Sequence, residues 1–163
     1  MTSRLHLDFV CTGNICRSPM GEVLLRDAAL AAGMGDLIAV TSCGLGGWHV
    51  GDPADPRTLA ELAAHGHDGS ALRASQFGPQ DARADLLLAL DTGHRSRLIA
   101  EHGVPEERVR LVRSFDPHAP EEASVADPYY GGPEGFRACY EQITAALDGI
   151  LDWARTRIDG GLN

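Results

Sequence analysis

Apolar residues along this chain alternate between short compact runs and longer stretches of helical spacing. Leu5-His6-Leu7-Asp8-Phe9-Val10 alternates apolar with polar until its final apolar pair, as a short strand does. Leu37 to Cys43 reads as a second buried strand. Asp85 to Leu90 is a third, apolar enough to be covered on both faces of a parallel sheet, and Val109 to Val112 is a fourth. Between them the spacing predicts helices over Met20 to Ala32, closed by Gly33, over 57 to 65, ended by Gly66, and over about Gly93 to His102. A last long helix runs from Pro133 to about Ile158, with Phe136, Tyr140, Ile143, Leu147, Ile150 and Leu151 on one face. Strand and helix in alternation imply an α/β fold: a single doubly wound domain over residues 1–163, with a four-stranded parallel sheet in order 2-1-3-4 and helices on both faces. A ligand crevice then lies at the carboxyl ends of the strands, beside the first.

The first strand runs into Val10-Cys11-Thr12-Gly13-Asn14-Ile15-Cys16-Arg17-Ser18-Pro19, and Pro19 suits the first turn of a helix. A tight turn through Thr12, Gly13, Asn14, Ile15, Cys16, Arg17 and Ser18 points consecutive N–H groups inward. The positive end of the following helix adds to them, so the hollow attracts an anion. Arg17 supplies a planar fork that phosphate oxygens accept. The same field favours the thiolate form of Cys11, which makes the stretch a phosphate cradle with a nucleophile in it.

Spelled Cys-x5-Arg-Ser within the first twenty residues, this motif resembles the low-molecular-weight protein tyrosine phosphatases. Thr41-Ser42 followed by Trp48, Leu86 to Asp91, and Asp127-Pro128-Tyr129-Tyr130 fall where that family has matching segments. The resemblance implies a phosphotyrosine phosphatase acting through a phosphocysteine intermediate, with no cofactor and no metal. Cys11 would be its nucleophile, Arg17 the phosphate clamp, Ser18 a support for the departing thiolate and Asp127 the general acid. Asn14 and Ser42 would hold the loop in shape. The family commonly has a histidine where Leu72 stands, so these two residues must hold the loop with less help unless His67 substitutes. Implied partners are phosphotyrosine proteins and a tyrosine kinase acting on Tyr129 or Tyr130, unless the two tyrosines only pack the rim.

Two loops stand out. Gly44 to Gly51 is too rich in glycine for regular structure yet carries Trp48, which either folds back onto the core or lines the substrate cleft. Ser114 to Gly132 is a long loop with three prolines and many acids, a length that in a compact domain usually marks function. Asp52, Asp55, Asp116 and Asp127 all precede proline, so Asp-Pro alone decides nothing. Only Asp127 is followed by two tyrosines. Pro128 biases it toward extended backbone, so it can reach inward while Tyr129 and Tyr130 wall the cleft with Trp48.

Composition narrows the class. A net charge of −9 argues against nucleic acid. No apolar run approaches the ~18 residues of a membrane helix, and no apolar leader precedes the first strand. Four irregularly placed cysteines fit a reducing compartment. A cytoplasmic monomer is expected, although leaderless export would leave no mark. His65 and His67 flank a glycine without a third ligand, which falls short of a metal site. Cys16 is either a small buried residue or a redox partner that traps an oxidised Cys11 as a disulfide. An arsenate reductase relay would need a nearby cysteine pair, and only Cys43 and Cys139 remain. A phosphoarginine phosphatase would tend to carry threonine at Ile15 and lack the tyrosine pair, and a mere binding module could dispense with Cys11 or Asp127.

Overall fold

A computed structural model describes residues 4–161. Its sheet is parallel throughout, in the order β2-β1-β3-β4. The strands are β1 (Leu5–Cys11), β2 (Ile38–Gly44), β3 (Leu86–Ala89) and β4 (Val109–Leu111). The helices are α1 (Arg17–Ala31), α2 (Pro56–Ala64), α3 (Pro79–Ala82), α4 (Thr92–Ala100) and α5 (Pro133–Gly161). Fold class and strand order are those the alternation predicts.

Period-two alternation on each strand divides the core. Leu7 and Phe9 with Leu86 and Leu88 pack under α1 and α5. On the other face Val10, Leu87, Ala89 and Cys43 meet Leu98 of α4 and Ala84. Helix α1 lies close against β1 at Gly21, where a Cβ would come within 2.5 Å of the Phe9 ring. In α5 the most buried positions are Phe136, Cys139, Ile143, Ala146, Ile150 and Ala154; Tyr140 and Leu147 flank this stripe, half-buried. The stripe therefore runs through small residues that apolar size alone does not signal.

Most element ends shift by one or two residues from expectation, and three differences are larger. Helix α1 begins at Arg17 rather than Met20, because the chain turns into the helix straight out of the anion loop; Pro19 still occupies the first turn. Helix α3, in a stretch without predicted structure, is a single turn fixed by the Gly78 N–H donating to the Asp81 carboxylate at 2.9 Å, too short for any periodicity. A 3-10 turn over Val112–Phe115 removes Val112 from the fourth strand and gives the start of the long loop local structure. Among the described residues no helix is long and apolar enough to cross a membrane.

Candidate active site

Residues 12–16 leave β1 and enter α1 through Asn14, whose φ of 60° is left-handed. Carbonyls at the loop's start face outward: Leu45 N–H donates to Cys11 O and Gly46 N–H to Thr12 O, each at 2.9 Å. Among the described residues no carbonyl accepts from the amides of Gly13 to Cys16, which leaves these donors to the hollow. Gly44, at the end of β2, allows the loop to lie this close; a Cβ there would stand 2.8 Å from the Gly13 carbonyl carbon and 2.9 Å from the Asn14 nitrogen.

Cys11 Sγ lies 2.8 Å from Ser18 Oγ at the buried base of the loop. Asn14 Nδ2 donates to that same Oγ at 2.8 Å, so the hydroxyl proton of Ser18 has two acceptors in reach, the Cys11 sulfur at 2.8 Å and the Cys43 carbonyl at 3.4 Å. Asn14 Nδ2 also donates to Ser42 Oγ at 2.9 Å, and Asn14 Oδ1 accepts the Ser75 N–H at 2.9 Å. Ser42 in turn donates to Glu22 of α1. Asn14 therefore bonds to Ser18, Ser42 and Ser75, and Ser42 to Glu22, so that the loop, β2 and α1 share one hydrogen-bonded chain in which Ser75 and Glu22 are partners the sequence did not reveal. Ser75 contributes only a backbone N–H, which carries no sequence signal. His67 does not substitute for the missing histidine: its Nδ1 is 2.6 Å from Asp27 Oδ2, while Leu72 packs against the main core.

Arg17 is buried and its guanidinium is fixed from one side. Nη1 donates to Asp91 Oδ2 at 3.0 Å and to the Val125 carbonyl at 2.8 Å, and Nη2 stands 3.8 Å from Asp127 Oδ2. Asp91 also caps α4 by accepting the His94 N–H at 2.8 Å. Burial would raise its carboxyl, but that hydrogen bond and the nearby positive charges outweigh it and hold the group below the usual carboxylate range. His94 Nε2 reaches Thr12 Oγ1 at 2.9 Å. Burial pushes the His94 imidazole down to about 4, so it is neutral at ordinary pH. Asp91 and His94 had no role in the sequence reading.

These elements enclose a cavity of about 330 Å³. Cys11, Thr12, Gly13, Ile15, Cys16 and Arg17 form its floor; Trp48, His49, Asp127, Tyr129 and Tyr130 form its rim. Trp48 is 74% exposed, with its indole lying over Gly46 rather than in the core. Tyr129 and Tyr130 meet edge to face at 4.9 Å. Of the four aspartates that precede proline, Asp127 alone lines the cavity. Asp55 caps α2, and Asp52 and Asp116 hold local turns. Asn14, Ser18 and Ser42 stand behind the floor.

The Cys16 thiol is pushed up to about 12, first by burial and then by the charges of Asp55 and Cys11. Cys43 lies across the sheet in the other half of the core, and Cys139 is buried in α5, its thiol pushed up to about 12 by burial. Asp8, Cys43 and Asp81 bring three ligand-type atoms within 4.8 Å of one another, away from the cavity. Burial, followed by the Asp81 charge, raises the Asp8 carboxyl well above its ordinary range, and Cys43 Sγ donates to Asp8 Oδ2 at 3.4 Å.

The chain is 46% identical over 159 residues to the low molecular weight protein-tyrosine phosphatase A of Mycobacterium tuberculosis, covering 97% of this chain and 96% of that protein. It is 48% identical over 158 residues to a low molecular weight protein-tyrosine-phosphatase of Streptomyces coelicolor, covering 93% and 94%. Among solved structures, YfkJ of Bacillus subtilis superposes with a TM-score of 0.87 at 30% identity, covering 96% of this chain and 98% of that one. Residues 6–159 match the profile described as low molecular weight phosphotyrosine protein phosphatase, and with the cysteine, arginine and aspartate meeting in one cavity, this chain belongs to that family.

Proposed function

We propose that this protein hydrolyses phosphotyrosine in proteins by double displacement at Cys11. The observation that carries the reading is the convergence of a thiol, a buried guanidinium and a carboxyl group on one cavity with aromatic walls. Cys11 Sγ attacks phosphorus in line while the bond to the phenolic oxygen breaks and Asp127 delivers its proton to that oxygen. Asp127, now ionised, takes a proton from water as the water attacks the phosphocysteine, releasing phosphate and the thiolate. Arg17 and the loop amides stabilise the equatorial oxygens, and the Ser18 hydroxyl donates to the departing sulfur. Depth and aromatic walls at Trp48, Tyr129 and Tyr130 favour a phosphorylated phenol over shorter phosphoserine.

The reaction needs no metal or cofactor, and the protein acts as a single-domain monomer in the cytoplasm. Tyr130, 93% exposed, and Tyr129 are accessible to a tyrosine kinase. Cys16 traps an oxidised Cys11 as a disulfide in this reading, supported by both cysteines lining the same cavity.

Turnover of p-nitrophenyl phosphate in EDTA, compared between wild type and Cys11→Ser, tests this. Wild type should keep its activity and the variant should lose it while still binding vanadate. A variant retaining even about a tenth of wild-type activity overturns the covalent route, since a serine oxygen here lacks the activation a thiolate has. After peroxide, dithiothreitol should restore wild type and not Cys16→Ser; equal recovery leaves Cys16 as packing.

A further inference from the structure

The loop carrying Asp127 is held firmly on one side only. Before the aspartate, Val125 N–H donates to Leu90 O at 2.8 Å, Arg17 donates to Val125 O at 2.8 Å, and Thr92 N–H donates to Ser124 Oγ at 3.2 Å. Beyond Val125 the situation changes. Among the described residues, the hydrogen bonds reaching residues 126–131 from elsewhere in the chain all come from Arg57. Its Nη1 donates to the Tyr129 carbonyl at 3.0 Å and to the Gly131 carbonyl at 3.2 Å. The guanidinium also lies 4.6 Å from the Phe136 ring centroid and 5.5 Å from that of Tyr129.

Arg57 is itself anchored to the phosphate loop. Asp55 Oδ1 accepts from Arg57 N–H at 2.8 Å and from Nε at 3.0 Å, and Asp55 Oδ2 accepts from Nη2 at 2.9 Å. Asp55 N–H donates to the Ile15 carbonyl at 2.8 Å, and Thr58 Oγ1 donates to the Cys16 carbonyl at 3.3 Å. A continuous bonded path therefore joins the floor that holds the phosphorus to the segment that holds the carboxyl.

We infer that Arg57 is the positioning residue for Asp127, setting the carboxyl's distance from the phosphate loop through the Tyr129 and Gly131 carbonyls. The inference rests on Asp127 being the general acid. Among the described residues, the half-exposed Asp127 side chain accepts only locally, through Oδ1 from the Tyr129 N–H at 3.0 Å, and its ion-pair partner is Arg17 at 3.8 Å. Its place thus follows its backbone, and that backbone runs into Gly131 and Gly132, which allow it to move. A shift of about 1 Å at a reacting group can lower a rate by about a hundredfold. A lysine cannot replace Arg57, because one ammonium cannot grip both Asp55 oxygens and two carbonyls at once.

The test reads kcat/KM on two esters: phenyl phosphate, whose leaving oxygen needs a proton, and dinitrophenyl phosphate, whose leaving oxygen does not. Arg57→Ala should lose about tenfold or more on the first and less than about threefold on the second, with inhibition by inorganic phosphate within about twofold of wild type. Arg57→Lys, which keeps the charge and the stem over Phe136, guards against loss of the fold and should show the same selectivity. In an Asp127→Ala background, Arg57→Ala should add no further loss on phenyl phosphate. Equal losses on both esters, or full additivity with Asp127→Ala, overturn the inference. A selective loss in Asp127→Ala with none in Arg57→Ala overturns it alone, whereas equal losses in Asp127→Ala remove the acid assignment and this inference with it.

Discussion

Arg17 enters the site with part of its guanidinium already engaged, its Nη1 shared between Asp91 and the Val125 carbonyl. That commitment fixes the plane of the fork before any phosphate arrives, which limits the ordering needed on binding. The residue was legible because its spacing from Cys11 is local. Asp91, 74 positions away in sequence, was not, because only the fold brings it there. His94 was equally hidden, since a histidine in a polar stretch gives no sign that it will be buried. Its depressed pKa has a consequence for stability. The folded state resists a proton that the unfolded chain accepts below about 6.5, so stability falls as pH drops through 6.5 and levels off below about 4. Between pH 7 and 5 this amounts to about 2 kcal/mol. Thermal melts at the two pH values should show a drop in wild type that is clearly reduced in His94→Asn; equal drops would assign the pH dependence to other groups.

The strand-loop-helix unit around Cys11 shows why sequence reading found the cradle but misjudged its edges. Loop residues and their order were plain, whereas the helix start depended on the left-handed turn at Asn14 and on braces from β2 and α1. Long-range braces have no periodicity to reveal them. Gly44 is the sharpest case, a glycine at a strand end that reads as an ordinary stop but gives the loop its room. Because the atoms within 3.0 Å of a Cβ at this position are backbone, they cannot swing aside as a side chain would. Gly44→Ala should therefore displace the loop and lower kcat/KM at least about tenfold, with weaker inhibition by inorganic phosphate measured alongside. Unchanged kinetics would mean that the loop accommodates the methyl group and that close packing on β2 is dispensable. The α5 stripe makes the same point about small residues: Cys139, Ala146 and Ala154 are as buried as Ile143, yet a search for large apolar side chains passes over them.

For the whole molecule, strand order was legible because a parallel sheet built by right-handed crossovers admits few arrangements. That order places the ends of β1, β2 and β3 side by side, and Cys11, Gly44 and Asp91 sit at or just beyond them. Asp127, which lines the same cavity, arrives from a loop whose path follows from no local pattern and which was singled out by the family resemblance rather than by periodicity. The cavity is thus assembled from two parts of the chain, the sheet edge that carries Cys11 and Arg17 and the long loop that carries Asp127. Its central claim is that phosphorus passes through Cys11. Acid quenching during turnover, followed by mass analysis of the peptide bearing Cys11, tests this directly. Wild type should carry a phosphoryl group on Cys11 sulfur within the first turnover, with more accumulating in Asp127→Ala, where water lacks its base. Turnover proceeding with no phosphoryl group ever found on Cys11, in wild type or in Asp127→Ala, would contradict the account.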